Sequence, residues 1–255
     1  MLYAGIDAGS RAVKIVLLDA DSREEATSGC VPQGVQSEEI AMGLLDGLLR
    51  EVGAGRGDIK RMVATGYARA AVSAADTTIT EITCHACGVH RVLPEARTVI
   101  EIGGQDSKLL RLDADGSVRD FAMNDRCAAG TGRFLEVVAE RLDVPLEHLG
   151  EKAARSKRPA SISSTCIVFA ESEIIGLLAS GTPPEDIIAG VQNSIATRVR
   201  AMIGRSVAPP VVFTGGVAMV PGMDRALEEA LGEPVSIVPR PQFTGALGAA
   251  ILASR

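Results

Sequence analysis

The sequence predicts an α/β protein built from two duplicated subdomains. Three observations point there: a β-hairpin pattern that recurs half a chain apart, glycine turns set between apolar runs, and helical and strand patterns that alternate along the rest of the chain. Placing Lys14 over Lys108, an offset of 108 − 14 = 94, brings residues 6–21 into register with residues 100–115. Ile, Gly, Lys and the closing Asp-Ala-Asp coincide, and Asp7 falls on Glu101. Each copy is an apolar run, a glycine turn and a second apolar run ending in a polar turn, which reads as a hairpin. Two copies imply a duplicated domain. Residues 1–95 are expected to form the first lobe and 96–255 the second, with the segment 244–255 packing back on one of them.

The remaining elements follow in order. Residues 37–53, 80–93 and 133–142 have a helical pattern, and the segments 128–142 and 167–179 that follow Cys127 and Cys166 read as helical. Thr182-Pro183-Pro184-Glu185 reads as a capping box with proline at the first helical positions. It opens a helix to about Gly204, with Ile187, Ile188, Val191, Ile195 and Val199 on one face. The strand Val211-Val212-Phe213 runs into Thr214-Gly215-Gly216-Val217 and a helical pattern through Leu231. Residues 244–253 make a small-residue helix able to lie close on a sheet.

Composition limits the function. The chain has 255 residues, is 46% hydrophobic and 23% charged, and carries a net charge of -6, which excludes a disordered chain and disfavours nucleic-acid or anionic-membrane partners. No stretch approaches the roughly 18 unbroken apolar residues of a membrane span. No basic leader precedes the first strand, so a cytoplasmic location is expected. Five cysteines, an odd number, do not make a disulfide scaffold, and 3% aromatic content with no Trp predicts an aliphatic core.

Gly9, Gly103 and Gly104 let backbone N–H groups approach an anion, giving a phosphate cradle at each hairpin tip. The carboxylates just before them, Asp7 and Glu101, suit a hydrated Mg²⁺. Gly215, Gly216 and Val217 form a strand-to-helix turn suited to a nucleoside or phosphate. Neither a Walker A motif nor a GxGxxG is present. Cys127 and Cys166 each precede a helical segment; on their own they read first as small buried hydrophobes, with metal ligation the lesser alternative. Cys84-His85-Ala86-Cys87 with His90 has metal-ligand spacing, but the amphipathic pattern around it favours a packed helix. Cys30 reads as strand or loop filler, and His148 has no visible partner. The basic run Lys152, Arg155, Lys157 and Arg158 reads as a solvated loop, or as a docking edge for an acidic redox partner.

Several motifs together resemble the ATP-dependent activators of 2-hydroxyacyl-CoA dehydratases and the ATPase subunits of benzoyl-CoA reductases. They are Gly5-Ile6-Asp7-Ala8-Gly9-Ser10, Ile102-Gly103-Gly104-Gln105-Asp106, and Asn124-Asp125-Arg126-Cys127-Ala128-Ala129-Gly130-Thr131-Gly132-Arg133-Phe134. Ser164-Thr165-Cys166 with Phe169-Ala170-Glu171-Ser172-Glu173, Thr214-Gly215-Gly216-Val217 and Gly245-Ala246-Leu247-Gly248-Ala249-Ala250 complete the set.

The resemblance implies an actin/hexokinase-like (ribonuclease H-like) ATPase fold and a homodimer. It also implies one [4Fe-4S] cluster per dimer, held by Cys127 and Cys166 of both subunits. ATP or ADP would lie with its phosphates against Gly9, Ser10, Gly103, Gly104, Gly130, Thr131 and Gly132, and its nucleoside near Gly215, Gly216, Val217 and Gln242. Mg²⁺ would sit near Asp7 and Glu101, and Gln105 or Asp106 would position the attacking water. Lys14 or Lys108 would add charge or else be an exposed strand residue, and Arg11 would meet phosphate or the partner. Reduced ferredoxin or flavodoxin would supply the electron. A 2-hydroxyacyl-CoA dehydratase, or a benzoyl-CoA-type reductase, would receive it. Two departures stand out: Arg11 where activators often have Thr, and Glu101 where they commonly have Asp. A small-molecule kinase of the same superfamily and a nucleotide-dependent assembly module would keep the same loops, with no use for the two cysteines.

Overall fold

The computed structural model describes residues 1–124, 128–163, 166–204 and 207–255, so Cys127 lies outside the described residues. The chain divides into two compact units, residues 1–96 with 112–119 and 242–255, and residues 97–111 with 120–241.

The first unit begins β1 (Leu2–Ala8), β2 (Ala12–Asp19), β3 (Glu25–Pro32), α1 (Ser37–Glu51), β4 (Ile59–Thr65), β5 (Thr77–Thr78) and α2 (Glu81–Val92). The second contains β6 (Thr98–Ile102), all but the end of β7 (Ser107–Leu112), all but the start of β8 (Val118–Asn124), α3 (Gly132–Leu142), α4 (Leu149–Ala153), α5 (Ile167–Ala179) and α6 (Pro184–Ile203), then β9 (Val211–Thr214), α7 (Met223–Leu231) and β10 (Val235–Ile237). The last helix, α8 (Thr244–Ala253), belongs to the first unit.

The duplication extends to topology. One sheet has the order β3-β2-β1-β4-β5 and the other, read in the same sense, β8-β7-β6-β9-β10. In each, the first two strands pair antiparallel, and the first also pairs parallel with a later strand. The inner strands are buried on both faces, which is why they read as unbroken aliphatic runs rather than alternating ones. In the first unit Ile6, Val13, Ile15 and Leu17 meet Leu45, Leu48 and Leu49 of α1 on one face. Val16 and Leu18 meet Ala246 and Ala250 of α8 on the other. In the second, Ile100, Ile102 and Phe213 pack with Phe134, Ile174, Ile187, Val191 and Ile195.

Glycine makes the α2–α8 crossing possible. A Cβ on Gly248 would overlap the Cys84 carbonyl, one on Gly88 the Thr244 carbonyl, and one on Gly5 the Ala246 carbonyl. All three obstacles are backbone, so nothing yields cheaply. Gly248→Ala is expected to destabilise the protein by about 2–3 kcal/mol through overpacking. Gly43, exposed in α1 with nothing near it, should instead gain about 0.5–1 kcal/mol on substitution by Ala. Urea unfolding of the two variants reads both signs.

Three local expectations change. The helical pattern 128–142 is a 3₁₀ turn, Ala128–Gly130, followed by α3 with Thr131 as its N-cap. The pattern after Gly216 is likewise a 3₁₀ turn, then α7 opening after Gly222, whose φ is +86°. The Thr182 capping box does not form: Pro183 is the N-cap of α6 and makes no side-chain cap. Asp186 in that first turn serves the preceding loop instead, accepting from the Ser156 hydroxyl (2.6 Å) and the Lys157 and Arg158 amides. These bonds, the Ser156 one foremost, hold its carboxyl below the ordinary range. Among the described residues no helix is long and apolar enough to cross a membrane.

Candidate functional site

The two hairpins carry the same charge pair. Strand register sets Asp7 opposite Lys14 and Glu101 opposite Lys108, and each lysine closes on its carboxylate at 3.2 and 2.9 Å. Both turns close alike, by a bond from the Gly9 amide to the Ala12 carbonyl (3.1 Å) and from the Gly103 amide to the Asp106 carbonyl (3.0 Å). The pairs then diverge. Lys108, 2% exposed, also binds Asp106 at 2.8 Å, whereas the residue 94 positions before Asp106 is Ala12. Asp7 with Lys14 sums to zero charge; Glu101, Asp106 and Lys108 sum to one net negative charge. Lys14, read from the sequence as added charge for phosphate, is engaged by Asp7.

In the second unit three glycine turns converge on Glu101. The Gly132 amide donates to the Gly103 carbonyl (2.9 Å) and the Arg133 amide to that of Gly104 (3.1 Å). The Thr131 hydroxyl lies 3.0 Å from the Gly104 carbonyl and 2.7 Å from that of Ala128. Gly215 has φ +89°, and a Cβ there would stand 2.7 Å from Glu101 Oε1. A Cβ on Gly132 would meet Val217 Cγ2 at 3.1 Å, and one on Gly103 would meet Asp106 Oδ1 at 3.0 Å. The Pro241 carbonyl, just before Gln242, accepts from the Thr214 hydroxyl (2.7 Å) and the Gly215 amide (3.1 Å), fixing the third turn. Thus Glu101, Gly103, Gly104, Asp106, Thr131, Gly132, Gly215 and Val217 share one locality. Gly216 opens the 3₁₀ turn beside them, Gly130 is buried in the Ala128–Gly130 turn, and Gln105 is half-buried at the hairpin tip.

In the first unit the Gln33 side chain donates to the Gly9 carbonyl (3.1 Å), while Ser10 is half-buried and Arg11 exposed at the tip. Sequence reasoning missed what surrounds Asp7. Gly66, with φ +99°, ends β4, and a Cβ there would stand 2.5 Å from Asp7 Oδ1. Gly245 lies on the other side, and the buried His85 holds Thr244 through Nδ1 at 2.9 Å. A glycine directly after a strand was the available signal for Gly66; His85 was hidden inside the CxxC spacing.

The cysteines separate by environment. Cys166 is exposed and forms the N-cap of α5, whose Val168, Phe169 and Ile175 are also exposed. Cys84 is buried in α2, and burial pushes its thiol up to about 12, with the Asp7 charge adding to the rise. Burial raises Cys87 as well. Such thiols stay protonated, and among the described residues no group of three or more His, Cys, Asp or Glu is arranged for a metal ion. In the basic loop Arg155 pairs with Glu151, while Lys157 and Arg158 are exposed.

Two sheets of one topology, each presenting a glycine hairpin with a carboxylate–lysine pair, define an actin/hexokinase-like ATPase fold. The ROK hexokinase from Thermus thermophilus shares that fold over 99% of this chain and 98% of its own, with a TM-score of 0.54 at 14% identity. The chain belongs to the BadF/BadG/BcrA/BcrD ATPase family, whose model matches residues 4–253. It is 43% identical over 251 residues to the (R)-2-hydroxyglutaryl-CoA dehydratase activating ATPase of Acidaminococcus fermentans, covering 98% of this chain and 95% of that one. The structure of the activator of the 2-hydroxyisocaproyl-CoA dehydratase from Clostridium difficile with bound ADPNP matches at 44% identity and a TM-score of 0.92, covering 100% of this chain and 94% of that one.

Proposed function

We propose that this chain is the ATP-hydrolysing activator of a 2-hydroxyacyl-CoA dehydratase, a homodimer with one [4Fe-4S] cluster that delivers single electrons to its partner. The observation that carries the reading is the likeness, over nearly the whole chain, to two proteins named as activators of such dehydratases.

The phosphates of ATP would lie on Gly9, Ser10, Gly103 and Gly104, with the nucleoside toward Gly215, Gly216, Val217 and Gln242, and Arg11 at the edge. Asp7 and Glu101 would hold a hydrated Mg²⁺; the net negative charge of Glu101, Asp106 and Lys108 suits a divalent cation, which would neutralise charge on the phosphates. Asp106 has one oxygen fixed by Lys108 and the other turned toward Gly103. It would orient the attacking water, with Gln105 at the same tip as the other candidate. Cys127 and Cys166 would hold the cluster, two thiolates from each subunit making four across a two-fold axis. The exposed Cys166 side chain at a helix start fits that task, because the helix dipole there favours an anionic cluster. When bound, the cluster supplies one-electron storage at low potential. The Gly132 and Arg133 amides tie α3 to the phosphate hairpin, and the chain runs back from them through Ala128–Gly130 to Cys127. Movement of the hairpin during hydrolysis would therefore reach a cluster ligand within a few residues. Reduced ferredoxin or flavodoxin would recharge the dimer. The same chemistry would serve a benzoyl-CoA-type reductase.

Anaerobically purified protein is expected to contain about four Fe and four acid-labile sulfides per dimer, bleached by dithionite, and to activate a 2-hydroxyacyl-CoA dehydratase only with ATP. A colourless, iron-free protein that hydrolyses ATP would move the reading to a small-molecule kinase or an assembly module.

A further inference from the structure

The space beside Asp7 is shaped by residues outside both phosphate hairpins. A Cβ on Gly245 would stand 3.2 Å from His85 Nε2 and 3.3 Å from Asp7 Oδ2, so the missing side chain opens a window flanked by imidazole and carboxylate. His85 and Asp7 are 5% and 6% exposed, which shields whatever passes between them from bulk solvent. The ring is fixed from behind: Nδ1 meets the Thr244 hydroxyl at 2.9 Å, and Thr244 is the first residue of α8. The adjoining glycine contacts, Gly88 against Thr244 and Gly248 against Cys84, lock α2 to α8 and so hold His85 and Thr244 in register. On the other flank Lys14 binds the same Oδ2 at 3.2 Å. In the second unit's hairpin Asp106 supplies the additional polar group, bound by Lys108 at 2.8 Å.

We propose that His85 is a positioning residue for Asp7: held by Thr244, it acts through the Gly245 window to fix the Asp7 carboxylate, and the water shared with it, for the hydrated cation of the bound nucleotide. This rests on the nucleotide reading above. Lys14 holds Oδ2, the imidazole lies across the Gly245 notch from that same oxygen, and Oδ1 is left toward Gly66 and Gly9. Partners that orient a metal-facing carboxylate from behind alter metal affinity by about 10–100-fold when removed.

The test is ADP affinity of the full chain, measured with Mg²⁺ and again with EDTA, for the wild type and for His85→Leu, His85→Gln, Thr244→Val and Gly245→Ala. The expected result is that His85→Leu and Gly245→Ala reduce the Mg²⁺-dependent gain in affinity about 10-fold or more, while affinity in EDTA changes less than about twofold. Thr244→Val should fall between them and the wild type, and His85→Gln, which retains an N–H at the tip, should recover part of the loss. If every variant keeps the wild-type ratio of the two affinities, or loses affinity equally with and without Mg²⁺, the residue is only structural and the proposal fails. If the wild type itself shows no Mg²⁺-dependent ADP binding, the nucleotide reading fails and takes this one with it. The two failures are thus distinguishable in one experiment.

Discussion

Cys166→Ala should yield protein with iron and sulfide at background and no visible absorption when purified without oxygen. The residue sits at the N-cap of α5, exposed, beside the exposed Val168 and Phe169, the latter 68% accessible. A thiol there contributes nothing to packing of its own subunit. Its removal should therefore leave the unfolding midpoint of the subunit near that of the wild type while taking half of the ligands from a site that needs four. Cys127→Ala should likewise leave iron and sulfide at background. Cys84→Ser supplies the contrast: iron is retained, but a hydroxyl replaces a fully buried thiol, and about 1–3 kcal/mol of stability is lost. Full cluster content in Cys166→Ala would remove that residue from the ligand set.

Lys108→Met should cost about 3–5 kcal/mol, since it removes the ammonium that the buried Glu101 and Asp106 share. The Glu101 and Asp106 side chains are 5% and 8% exposed, so water reaches neither well. Lys14→Met is the matched substitution in the other copy of the hairpin. It takes an ion pair from one carboxylate instead of two, and the Lys14 side chain is 15% exposed, so a loss of about 1–3 kcal/mol is expected. Urea midpoints at constant m separate the two. Equal losses would show that Asp106 does not depend on Lys108.

The hairpins were legible because duplication wrote the same spacing twice, and register then follows from a turn of fixed length: Asp7 had to face Lys14 if Glu101 faced Lys108. Helix positions were legible wherever one apolar face repeated, as at Ile187, Val191 and Ile195. Their starts were not, because caps depend on which neighbour claims a side chain: Asp186 bonds to the 156–158 turn, and Thr182 is left outside the helix. The glycine loops were recognisable as loops, but nothing in the order of residues says that Gly132, Gly103 and Gly215 meet at Glu101. His85 was obscured for a related reason. Its partners, Thr244 and Gly245, lie some 160 positions away, and only the α2–α8 crossing joins them. Cys84-x-x-Cys87 suggested a metal because spacing on a helix is local, whereas burial, which keeps both thiols protonated, is not.

The return of α8 to the first unit sets an order of events during synthesis. A ribosome emits about 5–20 residues each second, so β1 and α2 emerge many seconds before the helix that covers them. Until then Val16, Leu18 and the glycine notch at Gly88 face solvent. The second unit, residues 97–111 and 120–241, is fully translated earlier. The half of the molecule that is made first is therefore the half that matures last. A nascent chain arrested before residue 244 should present that uncovered sheet face to chaperones.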